Sequence, residues 1–137
     1  MSTLDLIKKY LDEVGLKMSN QKWNGDDMLI VDLEEKYDNF DGSLVITEFN
    51  INDRDIKTRL IQFLFEFKPT ENYTEEKLNS IILKKNKELP YGSFNFYKKN
   101  LIYKYTTVFK KDKIEKEVIL DIVNVIYYII SDVIQEI

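Results

Sequence analysis

The 137 residues contain no His and no Cys. That removes the side chains that most readily serve as a neutral-pH base, a thiol nucleophile or a soft metal ligand. Catalysis would have to rest on Asp, Glu, Lys, Tyr or Ser. The acidic residues are dispersed over turns and helix exteriors, and none forms the pair within an apolar strand that drives two carboxylate pKa values apart. The sequence predicts no catalytic residue and no cofactor. An enzyme relying on carboxylates alone stands as an alternative reading.

One segment imitates a calcium loop. Asn39, Asp41, Gly42 and Glu48 fall on the third, fifth, sixth and twelfth positions of the EF-hand pattern, with Leu44 at the eighth. Tyr37 holds the first position, where a carboxylate belongs, and the flanks read as strands. The segment is therefore read as a polar turn followed by a strand-borne Glu48, with no metal site. A second segment, Tyr91-Gly92-Ser93-Phe94-Asn95-Phe96-Tyr97, is similar to the aromatic strand on which RNA-recognition motifs stack bases, and Lys98, Lys99 and Lys104 lie close by. It lacks the leading basic residue, and the β-α-β-β-α-β order of that fold is not followed. An RNA-binding domain using the 91–105 hairpin is kept as a second alternative, while the main expectation is no nucleic-acid partner.

Charge points the same way. The net charge is -4, and of the 20 basic residues only Arg54 and Arg59 are Arg. Few planar forks are left for bidentate phosphate or base recognition, and the acidic balance works against binding to polyanions. Residues 1–13 interleave Asp5, Lys8, Lys9 and Asp12 with apolar positions, unlike a signal peptide. A cytoplasmic location is expected, without membrane contact. With 44% hydrophobic residues, 32% charged, 4 Gly and 2 Pro, the composition fits a single globular domain over residues 1–137.

Local patterns supply the elements. Ser2 or Thr3 caps a helix in which Leu4, Ile7, Leu11 and Val14 recur at helical spacing, and Gly15 stops it. Residues 16–23 and 28–33 read as strands joined around Asn24-Gly25-Asp26, a strong hairpin signal. Residues 44–51 and 56–67 follow as two more strands, joined across Asn52-Asp53-Arg54-Asp55. In the second, Ile61, Phe63, Phe65 and Phe67 face one way and Leu60, Gln62, Leu64 and Glu66 the other. Thr74 caps a helix to about Leu89, with Leu78, Ile81 and Ile82 on its buried side. A hairpin of residues 91–97 and 101–109 comes next, its second strand alternating Leu101, Tyr103, Tyr105 and Phe109 against Ile102, Lys104, Thr106 and Val108. The final helix is expected to start near Asp112. This order, α-β(3-4)-α-β2-α, predicts an α+β domain with an antiparallel sheet and helices packed on it.

The final helix carries more apolar surface than one partner covers. Val118, Ile122, Val125, Ile126, Ile129 and Val133 share one face, and Ile119, Val123, Tyr127, Ile130, Ile134 and Ile137 form a second beside it. The apolar arc spans roughly 220°, against about 100° for an ordinary surface helix. Either the helix is buried on every side but one, or Ile119, Val123, Tyr127, Ile130 and Ile134 form an interface with a second copy or another protein. The sequence reading assigns them to such a partner interface.

The sharpest local signature is the junction Asn86, Leu89, Pro90 and Gly92, where a helix end passes directly into an aromatic strand. Pro90 stops the helix and Gly92 permits the tight backbone path. With Tyr10-Leu11 and Gly15-Leu16 at the first helix end and Ser131-Asp132 in the last helix, this junction resembles the YbjN-like family, whose members share a fold with type III secretion chaperones. The resemblance implies a small, often dimeric, non-enzymatic module that binds other proteins in a regulatory or chaperone-like role, with no catalytic residue to carry over.

Overall fold

A computed structural model of the chain describes residues 2–33, 42–49, 58–68, 74–89, 92–98, 100–110 and 113–136, with side chains in the last helix up to residue 133. The elements are α1 (Thr3–Glu13), β1 (Lys17–Trp23), β2 (Asp26–Asp32), β3 (Gly42–Phe49), β4 (Thr58–Phe67), α2 (Glu75–Glu88), β5 (Ser93–Tyr97), β6 (Asn100–Lys110) and α3 (Lys116–Glu136). The strands form one antiparallel-paired sheet in the order β1-β2-β3-β4-β6-β5. The expected α+β class and element order hold, with four strands before α2.

Local chemistry places most of these ends. Ser2 caps α1 through a capping box, its hydroxyl accepting from the Asp5 amide at 3.1 Å while Asp5 accepts from the Ser2 amide. Asn24 and Gly25 take φ of 52° and 83°, the left-handed pair of a type I′ turn, which matches the strand twist and fixes the β1–β2 register at Trp23↔Asp26. Thr74 caps α2 by accepting from the Lys77 amide. The last helix starts at Lys116, later than the expected start near Asp112, which lies outside the described residues. The Tyr10 hydroxyl donates to the Ile114 carbonyl at 3.0 Å, and Lys116 donates to Glu13 at 2.6 Å. These contacts tie the start of α3 to α1.

Strand alternation gives the sheet two different faces. Leu29, Val31, Leu44, Ile46, Ile61, Phe63, Phe65, Phe67, Leu101 and Tyr103 point inward and are buried. They join one apolar cluster with Ile7 and Leu11 of α1, Leu78 and Ile82 of α2, and Ile119, Ile122, Val123, Ile126, Ile130 and Val133 of α3. All three helices therefore share this face. Full burial of each such aliphatic or aromatic side chain stabilises by about 1.5–3 kcal/mol. Because β5 runs parallel to β4, two places away, the chain needs a crossover between them, and α2 supplies it.

Candidate protein-binding surface

Among the described residues no helix covers the other sheet face. Across it run, in register, Ser19, Ile30, Val45, Leu64, Lys104 and Ser93, flanked by the Met28, Thr47, Gln62 and Thr106 row. None of these is buried. At one end Phe49, Leu60 and Val108 stand directly opposite one another on β3, β4 and β6, and Trp23 lies at the same end, across from Asp26. Trp23 is 67% exposed, Val108 59% and Phe49 40%. A sheet face polar at its margins and apolar in this row can bind by apolar burial. The alternation of Leu60 and Leu64 with Gln62 and Glu66 hinted at that face in the sequence; the contribution of Trp23, Phe49 and Val108 to one row was not legible.

The residues assigned to an interface on the last helix lie elsewhere. Ile119 and Ile130 are 0% exposed and Val123 is buried, all within the chain's own core, while Tyr127 is half-buried against it. The side chain of Ile134 lies outside the described residues. The correction has a geometric cause: α3 is the middle helix of its layer. It is in contact with α1, and it is joined to α2 by Lys85, whose Nζ donates to Asp132 at 3.0 Å. Sheet and two flanking helices together cover both apolar stripes, leaving Val118 and Tyr128 outside. Lys85 itself is buried where Ile81, expected inside, is only half-buried. Its aliphatic stem packs while its charge meets Asp132 and, at 3.9 Å, Glu88.

The junction residues do come together. Asn86 Nδ2 donates to the Phe94 carbonyl at 2.9 Å, and the Phe94 amide donates to Asn86 Oδ1 at 2.7 Å. One amide side chain thus satisfies both backbone groups of a residue on the outer edge of β5. Gly92 has φ of 76°, and a side chain there would run into the Tyr103 phenol. Leu89 caps α2, its amide donating to the Lys85 carbonyl at 3.0 Å, and packs partly buried against the core. Pro90 lies outside the described residues.

The remaining chemical candidates separate. Tyr37, Asn39 and Asp41 lie outside the described residues. Gly42 opens β3, where a Cβ would meet the Phe65 ring at 2.6 Å, so its missing side chain serves close packing. Glu48 points to the helix-covered face and pairs with Arg59, Oε1 to Nε, at 3.2 Å. Burial raises the Glu48 pKa above the ordinary carboxylate value, with nearby Asp27 adding and Arg59 opposing. Among the described residues no cluster of three or more Asp or Glu is placed to hold a metal ion. On the 91–105 hairpin, Phe94 and Tyr103 are buried against each other, their ring centroids 5.1 Å apart. Among the described residues of the hairpin only Tyr97, under the Lys98 ammonium at 5.3 Å, presents an exposed ring.

No protein-family model matches the chain, and no curated protein matches it. Among solved structures, the fold is similar to that in the "Crystal structure of YbjN, a putative transcription regulator from E. coli". The match covers 97% of this chain and 89% of that one, with a TM-score of 0.55 and 19% sequence identity. The chain therefore has a YbjN-like fold. Among the described residues, no helix is long and apolar enough to cross a membrane.

Proposed function

We propose that the chain is a non-enzymatic module that binds another protein on its open sheet face, in a regulatory or chaperone-like role. The observation that carries this reading is the row of Phe49, Leu60 and Val108, with Trp23 at the same end, on a face left bare by all three helices. Burial of apolar side chains needs neither cofactor nor nucleophile. At about 25 cal/mol per Å² removed from water, covering a few such residues supplies several kcal/mol of binding. The description of YbjN as a regulator suits a domain that works by contact. A net charge of -4 and the presence of only two Arg favour a protein over a nucleic acid as the partner. In this reading the module works in the cytoplasm.

The test is affinity capture from the native cell with the intact chain and with Phe49→Asp and Val108→Asp. Both positions are exposed, so each variant should keep its circular dichroism and melting temperature. Proteins retained by the parent and lost by both variants would support the reading. Equal recovery on parent and variants, or no protein above a blank matrix, would refute it.

A further inference from the structure

The two edges of the sheet are not equivalent. At the β5 edge, the two-residue turn leaves Tyr97↔Asn100 and Asn95↔Ile102 as the hydrogen-bonded pairs, so the backbone groups of Phe94 face outward. Asn86 takes both of them, and an incoming strand would have to displace α2. At the β1 edge, the type I′ turn makes Trp23↔Asp26, Gln21↔Met28, Ser19↔Ile30 and Lys17↔Asp32 the hydrogen-bonded pairs. The amides and carbonyls of Met18, Asn20 and Lys22 therefore face away from β2. The strand contains neither Pro nor Gly, pairs one-to-one without a bulge, and is exposed at every position except Met18, which is half-buried. Among the described residues nothing twists or covers this edge, and its guards are the charges of Lys17 and Lys22.

We infer that the β1 edge pairs antiparallel with β1 of a second copy of this chain, about a two-fold axis at Asn20, joining two sheets into one. The sequence of the strand selects this occupant. Centring on Asn20 sets Asn20 against Asn20, Met18 against Lys22, Ser19 against Gln21 and Lys17 against Trp23 of the other copy. All three outward-facing residues are then used, each pair exchanging N–H and C=O in both directions. No lysine faces a lysine, and like charges directly opposed are what destabilise a cross-strand pair. Lys17 and Trp23 occupy a non-hydrogen-bonded site, where side chains approach most closely, so an ammonium meets an indole face. The register also keeps the helix-covered faces of both copies on the same side. The pairing involves none of Phe49, Leu60 and Val108 but shares Trp23 with the proposed binding face, so Asn20→Pro, Phe49→Asp and Val108→Asp are the variants that tell the two apart.

Sedimentation of the purified chain from micromolar to millimolar concentration tests this, with amide hydrogen exchange as a site-specific readout. The expected result is a reversible monomer–dimer equilibrium in which the amides of Met18, Asn20 and Lys22 gain protection as concentration rises. Asn20→Pro removes an outward N–H that the chain's own sheet does not use. Trp23→Lys sets lysine against Lys17 at an exposed position. Each should weaken the dimer by about tenfold or more. If Asn20→Pro fails to fold, Trp23→Lys decides. Val108→Asp, four strands away on β6, should leave the equilibrium unchanged. A chain that stays monomeric to millimolar concentration overturns the inference, as does a dimer that persists unweakened in the folded edge variants.

Discussion

The phenol of Tyr103, buried in the middle of β6, lies where a side chain on Gly92 would begin. Gly92 also holds a φ of 76°, a conformation that costs an L-residue about 1 kcal/mol. Gly92→Ala therefore combines backbone strain with overpacking against a ring that cannot retreat, and should lose roughly 2–4 kcal/mol. Urea denaturation measures this; an unchanged midpoint would mean that Tyr103 moves aside freely.

Asn86 is legible in the sequence as part of a junction, but its task is visible only in space. Asn86→Ala leaves the Phe94 amide and carbonyl without their side-chain partner and should cost about 1–3 kcal/mol. It should also reopen the β5 edge. Faster exchange of the Phe94 amide, with new concentration-dependent association, is the expected signature. Asn86→Asp keeps the acceptor but sets a carboxylate oxygen against the Phe94 carbonyl, so at neutral pH it should be no more stable than Asn86→Ala.

Ile130→Glu separates the two readings of the last helix. Were Ile130 at an interface, the variant would be a folded monomer. With Ile130 fully buried inside the chain, a carboxyl group there would be held protonated at a cost of roughly 3–4 kcal/mol at neutral pH, on top of about 1.5–3 kcal/mol of lost Ile burial. That is comparable to the whole stability of a domain. Loss of the folded circular dichroism spectrum is expected, and a well-folded Ile130→Glu would show that this position is not packed.

Glu48 gives the protein a pH dependence of defined sign. Its folded pKa is raised above its ordinary value, chiefly by burial, so the folded state holds this proton more tightly than the unfolded state. The resulting stabilisation is fully present below the unfolded pKa and is lost as pH rises through the raised folded pKa. Glu48→Gln should remove that fall from the profile. Melting temperatures of parent and variant, compared from about pH 4 to about pH 7, check it. Parallel profiles would show that Arg59, at 3.2 Å, fully offsets the burial.

What the sequence determines by itself is whatever acts within a few residues. Asn24-Gly25 forces its turn because its backbone must turn left-handed. Thr74 caps its helix, and Phe63, Phe65 and Phe67 share a face because side chains alternate along a strand. These local constraints set the element order and with it the fold class. The surplus apolar surface of the last helix is also written in the sequence, as an arc too wide for one neighbour. Which surface covers it is a property of the layer. Only when α1 and α2 flank α3 on one side of a six-stranded sheet do Ile119, Val123 and Ile130 become core, because three neighbours can enclose an arc that one cannot. The same packing leaves Trp23, Phe49 and Val108 outside. They lie far apart in the chain, and only the sheet register brings them to one end of the bare face. Period-two alternation tells which residues share a face, but not which face the helices will choose.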